Sequence, residues 1–177
     1  MDKSKNIILG ISASIAAYKA CDIIRAFIKR GANIDCILTK NAANFITPLT
    51  LQTLSKNKVW TDMFEKPDNW DIEHIALAKK ADIIIIAPAS ANAIARLAAG
   101  MADDMLTSVV LASKAKVIIC PAMNTAMYEH KATVSNIAKL IEYGYKIIEP
   151  QEGALACCDT GKGRLAPTDQ IIKEALS

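Results

Sequence analysis

The chain has little of what binding to a membrane or to a nucleic acid requires. Its 177 residues include only three Phe, four Tyr and two Trp, too few for the aromatic platforms on which single-stranded nucleic acids stack. The net charge is only +3 and the basic residues are scattered, so no basic stripe indicates a nucleic-acid partner. No apolar run approaches the roughly 18–20 residues of a membrane span. Residues 1–5 lack the apolar core of a secretion signal, which predicts a cytoplasmic protein.

The sequence also lacks the patterns that hold metal ions. It contains two His residues and has neither a C-x-x-C pair nor an H-x-x-x-H pair, so no metal site is expected. Cys157 and Cys158 are neighbours and cannot easily form a disulfide with each other, which predicts at least one free thiol. The other cysteines lie within apolar patterns and are predicted to be small core residues: Cys21, Cys36 and Cys120.

The strongest positive pattern is the segment 82–92. Four consecutive isoleucines at 83–86 leave no side for solvent and predict a strand buried on both faces, as in the centre of a parallel sheet. Pro88 has no amide hydrogen, so the hydrogen-bond ladder is expected to stop near it. Ser90 and Asn92 then begin a predicted helix of small residues. Open α/β sheets bind ligands at this carboxyl edge, although an ordinary strand-to-helix connection explains the segment equally well.

The first forty residues predict a right-handed βαβ unit, with strands at 6–10 and 33–39 and a helix at 15–30. The first turn reads GISAS, which is not the G-x-G-x-x-G fingerprint, so dinucleotide binding is disfavoured. Ser12 and Ser14, together with the amides at the helix start, suit a single terminal phosphate. Simple helix capping by these serines is the alternative.

The same order of a strand, a proline and a polar residue recurs at 116–124. Pro121 and Asn124 correspond to Pro88 and Ser90 and are expected at the same edge of the sheet. The sequence thus predicts an α/β fold, a Rossmann/flavodoxin-like three-layer sandwich with a parallel central sheet, in one domain over residues 1–177. The other predicted elements are short helices within 41–55, helices at 103–113, at 125–143 with an interruption near His130 and at 168–176, and a strand at 145–148.

Residues 149–164 are predicted to form a long loop, because they contain three glycines and no hydrophobic period. Long loops in compact domains often bind ligands or act as lids. Lys162 and Arg164 would lower the pKa of a nearby thiol and would suit a phosphate. We therefore favour a binding loop over a plain surface loop.

Several short segments, in this order, resemble one known family. They are GISASIAAYK at 10–19, HIAL at 74–77, PASAN at 88–92 with GMAD at 100–103, PAMNTAM at 121–127, and A-C-x-x-x-G-x-G-R at 156–164. Together they resemble the homo-oligomeric flavin-containing cysteine decarboxylases, and within them the phosphopantothenoylcysteine decarboxylases of coenzyme A biosynthesis. The resemblance covers nearly the whole chain.

The resemblance implies a carboxy-lyase that uses FMN to decarboxylate 4'-phosphopantothenoylcysteine, a small-molecule substrate, to 4'-phosphopantetheine. It implies a homo-oligomer built of trimers, as a trimer or a dodecamer, with no nucleic-acid or membrane partner. The implied catalytic residues are His74, Asn124, which would hold the substrate carboxylate, and Cys157, which would donate a proton. The implied cofactor-binding residues are Gly10, Ser12, Ser14, Thr39, Ser90, Ala91, Asn92 and Thr107. The implied substrate-binding residues are Asn124, Met127, Ala156, Cys157, Lys162 and Arg164.

Alternatives remain beside this interpretation. In the family, the loop that closes over the substrate, called the clamp, usually reads Ala-Cys-Gly where this chain has residues 156–158. Here Cys158 replaces the glycine, so it is open which of the two thiols donates the proton. The alignment with the family motif favours Cys157. A peptidyl-cysteine decarboxylase and a flavin prenyltransferase belong to the same family, but Cys157 and the clamp argue against both. A non-catalytic flavin-binding regulatory subunit would carry acidic extensions, and a flavodoxin would have an acidic surface. The chain shows no domain that would ligate cysteine to phosphopantothenate. We expect that this synthetase domain is either encoded separately or was removed.

Overall fold

The computed structural model describes residues 4–63, 72–156 and 160–177. Its central sheet has six parallel strands in the order β3-β2-β1-β4-β5-β6. The strands are β1 (Asn6–Ile11), β2 (Asn33–Leu38), β3 (Val59–Trp60), β4 (Ile83–Ala89), β5 (Lys116–Pro121) and β6 (Lys146–Ile147). The predicted α/β class with a parallel sheet is confirmed. The strand order reverses between β1 and β4, which is where doubly wound folds open a crevice for ligands.

Helices cover both faces of the sheet and complete the three layers. They are α1 (Ala20–Ile28), α2 (Pro48–Ser55), α3 (Glu73–Lys80), α4 (Ala91–Ala98), α5 (Met105–Ala112), α6 (Thr125–Glu129), α7 (Lys131–Glu142) and α8 (Thr168–Leu176), with 3-10 helices at Ile15–Lys19 and Lys40–Asn44. Residues of α1, α2 and α8 pack in one core cluster, whereas residues of α3, α4, α5 and α7 pack in the other.

The four isoleucines of β4 explain why the sheet is buried on both sides. Ile83 and Ile85 point into the core cluster of α1, and Ile84 and Ile86 point into the opposite one. All four are nearly inaccessible to solvent. Because side chains alternate across a strand, an unbroken run of isoleucine supplies both cores at once. The prediction of a doubly buried central strand is confirmed.

The cysteines predicted to be core residues lie in the interior or at its margin. Cys36 and Cys120 are inaccessible to solvent, and Cys21 is half-buried against the first cluster. Burial, followed by the neighbouring charge of Asp35, raises the pKa of the Cys36 thiol to about 12. Burial alone raises the pKa of Cys120. These thiols are therefore neutral and serve packing.

One helix start differs in detail from the sequence prediction, and one predicted helix interruption is confirmed. The helix predicted at 15–30 starts as a 3-10 turn, capped by the Ser14 side chain, and becomes α-helical only at α1. The interruption predicted near His130 is confirmed, because His130 separates α6 from α7 and its Nδ1 accepts a hydrogen bond from the Ala132 amide at 3.1 Å.

Strand β4 ends one residue after Pro88, which confirms the prediction that the hydrogen-bond ladder stops near this proline. Strand β4 continues to Ala89, with an irregular register after Ile86. Proline lacks only the donor, and its carbonyl still accepts hydrogen bonds. Here the Pro88 carbonyl accepts from the amide and hydroxyl of Ser12, and the Ala89 carbonyl accepts from the Ala122 amide.

The prediction of an irregular loop over residues 149–164 was wrong. Strands β7 (Gln151–Ala154) and β8 (Thr160–Arg164) form an antiparallel hairpin outside the main sheet. Two of its three glycines serve close packing, since an added Cβ on Gly161 would lie 2.5 Å from the Thr125 Oγ1 and one on Gly163 would overlap the Met123 carbonyl oxygen. Glycine content therefore marks a contact between segments here rather than a turn.

Candidate active site

A cavity of about 380 Å³ opens at the carboxyl edge of the sheet. Its walls come from the turn after β1, the ends of β4 and β5, and the β7–β8 hairpin. This is the crevice beside the reversal of strand order, where ligands bind in open α/β sheets. The residues on its wall that the argument uses are Ser14, Lys19, Ser90, Asn124, Met127 and Arg164.

Ser12 joins the two loops that form the cavity floor. Its hydroxyl donates to the Pro88 carbonyl at 2.8 Å and accepts from the Ser90 amide at 2.8 Å. The side chain is buried and its hydrogen bonds are used within the protein. Ser14, two residues later, faces the cavity, and its hydroxyl accepts from the Ala16 amide at 3.3 Å. Ser12 therefore positions the loop, and Ser14 is the serine that a ligand can reach.

Helix α4 begins at the cavity. Ser90 caps it by accepting from the Ala93 amide at 3.3 Å, and Ala91 follows on the cavity wall. The N-terminus of a helix favours negatively charged groups. Ala13, Ala91 and Ala122 keep this part of the wall free of bulky side chains.

Asn124 links the cavity wall to helix α6. Its Oδ1 accepts from the Ala126 amide at 2.9 Å and so caps the helix. Met127, on the first turn, also faces the cavity and is 50% exposed. The cap fixes the orientation of the carboxamide, which is what a residue that orients a substrate group needs.

The hairpin forms the other wall. Ala154, Leu155 and Ala156 line the cavity from β7 and the residues after it, and Gly163 and Arg164 line it from β8. The Met123 amide donates to the Gly163 carbonyl at 3.0 Å and joins β8 to the loop that carries Asn124. The hairpin thus shields the cavity from solvent on this side.

Two cations face the cavity together. Burial, followed by the charge of Arg164, lowers the pKa of Lys19, and Asp22 opposes this shift. Within the described residues neither Lys19 nor Arg164 forms an ion pair with a carboxylate. Two unpaired cations in one cavity indicate a site for an anionic group. Sequence reasoning singled out Arg164 and missed Lys19, although Lys19 closes the segment that starts at the Ser12 turn.

The structure brings only part of the predicted cofactor set to this cavity. Ser14, Ser90 and Ala91 line it. Thr107 is buried at the start of α5, where its amide donates to Asp104 Oδ1 at 2.8 Å in a capping box. The predicted residues that lie off the cavity wall are Gly10, Ser12, Thr39, Asn92 and Thr107.

The predicted catalytic set is also divided. Asn124 lines the cavity, whereas His74 lies half-buried on the first turn of α3 and does not. Lys162 points away from the cavity wall and pairs with Glu149 at 2.6 Å. Cys157 and Cys158 lie outside the described residues.

Comparisons with known proteins show the family of the chain and relatives that share its fold. The chain matches the family described as Flavoprotein over residues 1–177. It is 50% identical over 173 residues to the probable phosphopantothenoylcysteine decarboxylase of Streptococcus mutans, covering 97% of each chain. The solved structure of the FMN-dependent cysteine decarboxylase SpaF superposes with a TM-score of 0.86 at 30% identity, covering 97% of this chain and 95% of that one.

A longer relative has a similar sequence identity to the chain. The chain is 48% identical over 175 residues to the coenzyme A biosynthesis bifunctional protein CoaBC of Bacillus subtilis. That match covers 99% of this chain but 43% of the relative, so the chain spans less than half of the bifunctional protein.

Proposed function

Because the chain belongs to the flavoprotein family, we propose that it binds FMN and decarboxylates 4'-phosphopantothenoylcysteine to 4'-phosphopantetheine, a carboxy-lyase step of coenzyme A biosynthesis. The observation that carries this proposal is a cavity that combines a capped carboxamide, Asn124, with two cations, Lys19 and Arg164, that pair with no carboxylate among the described residues. The substrate carries a carboxylate and a phosphate, and the cavity offers a neutral hydrogen-bonding group and a cationic pair. A relative of nearly equal length named for this activity supports the same assignment.

The residues at the cavity fit a flavin. The alanines on the wall leave space that larger side chains would fill, and Ser14 and the start of α4 supply polar groups beside it. When bound, FMN would accept a hydride equivalent from the cysteinyl side chain and later return it. Ser14, Ser90 and Ala91 on the wall are proposed to contact the cofactor. The other residues proposed for the cofactor site lie off the wall and would complete the site behind it: Gly10, Ser12, Thr39, Asn92 and Thr107.

Asn124 is proposed to orient the substrate carboxylate. A neutral carboxamide suits this task because a cation beside the carboxylate would stabilise a negative charge that is lost from this position when neutral CO₂ leaves and the electrons of the broken bond stay on the substrate, and so would favour the ground state. Lys19 and Arg164 are proposed to hold the phosphate, whose charge does not change in the reaction. Met127, Ala156 and Lys162 complete the proposed substrate site, with Lys162 acting through the hairpin on which it lies.

The proposed proton donor is Cys157, on the segment between β7 and β8. The hairpin would keep water from the reacting group, so that a reactive sulfur intermediate of the substrate is protected until it is protonated. The second thiol, Cys158, is the alternative donor. His74 remains a proposed active-site residue.

A second copy of the chain is proposed to complete the site. His74 lies off the cavity wall of its own chain, and the apolar side chains around the cavity are unusually accessible: Ile15 is 58% exposed and Tyr18 is 57% exposed. Exposed apolar side chains clustered at a cavity mark a contact surface. A homo-oligomer built of trimers, as a trimer or a dodecamer, would cover them and bring His74 of a neighbour closer.

Within residues 4–63, 72–156 and 160–177, no helix combines the length and the apolarity that crossing a membrane demands. A cytoplasmic location and the absence of membrane and nucleic-acid partners remain predictions.

The first test is turnover by the purified protein. We expect a yellow protein that releases FMN rather than FAD on denaturation, and that forms CO₂ and 4'-phosphopantetheine from 4'-phosphopantothenoylcysteine. Mass spectrometry of the product checks the reaction. A peptide ending in cysteine should not be decarboxylated at a comparable rate, and its turnover would instead support a peptidyl-cysteine decarboxylase. A yellow protein that acts on neither substrate would support the regulatory alternative.

The second test concerns the cationic pair. Lys19→Met should raise KM for the substrate about 10- to 100-fold, the effect of losing one charge-assisted hydrogen bond, with kcat changed little. Because burial lowers the pKa of Lys19, wild-type KM should also rise at alkaline pH earlier than an exposed lysine would allow. Lys29→Met, which removes an exposed lysine after α1, is the matched control. An unchanged KM in Lys19→Met would remove Lys19 from the substrate site.

A further inference from the structure

Three side chains connect the hairpin to helix α6. The Tyr128 hydroxyl donates to Glu149 Oε2 at 2.6 Å, and Lys162 Nζ lies 2.6 Å from the same oxygen. Lys162 Nζ also lies 5.4 Å from the centre of the Tyr128 ring, within cation–π range. We call Tyr128, Glu149 and Lys162 the tether.

The members of the tether come from separate elements. Tyr128 lies on α6, directly after Met127 on the cavity wall. Lys162 lies on β8 between the two glycines that pack against the Asn124 loop, and Glu149 lies between β6 and β7. The tether therefore joins the strand that carries Arg164 to the helix that follows Asn124.

Tyr128 and Glu149 are in the protonation states that the hydrogen bond between them needs. Burial, followed by Glu149, raises the pKa of Tyr128, so its hydroxyl stays a donor at neutral pH. Hydrogen bonds from Lys162 and then from Tyr128 lower the pKa of Glu149, so it stays a carboxylate. An exposed lysine–glutamate pair alone contributes little to the free energy of unfolding. Tyr128, however, is only 9% exposed, and burying its hydroxyl without a partner would be unfavourable.

The hairpin needs such an attachment. Two-stranded hairpins are at best marginally stable alone, and β7–β8 stands outside the main sheet. The hydrogen bond from the Met123 amide to the Gly163 carbonyl fixes one point of β8. A second point, one residue away, fixes the orientation of the strand and with it the place of Arg164 on the cavity wall.

We propose that Glu149 is a positioning residue: it accepts from Tyr128 and Lys162 and thereby holds β8 at the distance from α6 at which the cavity binds its anionic substrate. The part that concerns substrate rests on the proposed function, whereas the part that concerns the hairpin does not. Glu149 itself does not line the cavity.

The structural part is tested by amide hydrogen exchange of the flavin-loaded protein, read by mass spectrometry on peptides from 151–156 and 160–166. Glu149→Gln and Tyr128→Phe should each speed exchange of these peptides by about 3- to 10-fold, because they loosen one local unit. Peptides from β1 and β4 should be unchanged. Glu174→Gln breaks another exposed pair, Lys146–Glu174 at 3.3 Å, and should leave the hairpin unaffected.

The positioning part is tested by kinetics and by a double-mutant cycle. Glu149→Gln should raise KM about fivefold with kcat within about twofold, and Tyr128→Phe/Glu149→Gln should be no worse than Glu149→Gln. Lys162→Met, a substitution on an exposed side chain, repeats the test should Glu149→Gln fold poorly. Additive effects on KM, or unchanged exchange of the hairpin, would overturn the proposal. If wild-type protein shows no turnover, the proposed function fails while the exchange data still decide the tether.

Discussion

Gly163→Ala is expected to lower kcat/KM by about 100-fold or more, the effect of displacing reacting groups by about 1 Å. An added Cβ on Gly163 would overlap the Met123 carbonyl oxygen, which belongs to the backbone and cannot rotate away. The strand β8 must then move away from the Asn124 loop, the hydrogen bond from the Met123 amide must lengthen, and Arg164 must leave its place on the cavity wall. Steady-state kinetics measure the loss, and circular dichroism should show the main fold retained.

Gly161→Ala provides a graded comparison. Its Cβ would meet the Thr125 side chain, with Oγ1 at 2.5 Å and Cγ2 at 2.9 Å. Thr125→Ala removes both atoms, so the double variant Gly161→Ala/Thr125→Ala should regain much of the activity that Gly161→Ala loses. No side-chain substitution should rescue Gly163→Ala. Near-normal turnover by Gly163→Ala would show that the position of the hairpin does not matter for catalysis.

Asn124→Asp is expected to lower kcat/KM by about 100- to 1,000-fold without loss of stability. Aspartate caps a helix as well as asparagine does, so the hydrogen bond from the Ala126 amide persists. The new negative charge, however, faces the cavity where the substrate carboxylate is proposed to bind, and juxtaposed like charges are strongly unfavourable. The substitution therefore separates recognition from folding. Kinetics and the thermal unfolding midpoint measure the two effects.

Thr47→Asp is the matched control. Thr47 caps α2 by accepting from the Thr50 amide at 3.3 Å, lies at an exposed position and does not line the cavity. It receives the same charge at the same kind of helix position, and its turnover should stay near the wild-type value. Comparable turnover by Asn124→Asp and Thr47→Asp would mean that the carboxylate is held elsewhere.

Local sequence patterns predicted the helices and strands well, because each of these elements depends mainly on residues that are close together in the sequence. The isoleucine run at 83–86 required burial on both faces, and the structure divides it between the two cores. His130 was recognised as an interruption, and it caps the second helix. The resemblance to the flavin-containing cysteine decarboxylases, confirmed by the family match and by the relatives, came from short segments, three of which lie at the ends of β1, β4 and β5.

The prediction that went wrong involves contacts between distant segments. The glycines of β8 were interpreted as a loop, because a single sequence does not show that a backbone carbonyl lies against Gly163. The role of His74 and the donor thiol, Cys157, stay predictions.

By itself the sequence determined the doubly buried central strand, the alternation of strands and helices, and the placement of polar residues after β1, β4 and β5. The spacing of apolar residues suffices for these features, because it shows within each helix or strand which faces are buried. The direction of the chain then shows where each strand ends. Only the tertiary structure decided that Lys19 and Arg164 share a cavity, that Ser12 is used to join two loops, and that Tyr128, Glu149 and Lys162 hold the hairpin. These contacts join residues that folding brings together from distant parts of the chain, and no local pattern encodes which distant partner each side chain will meet.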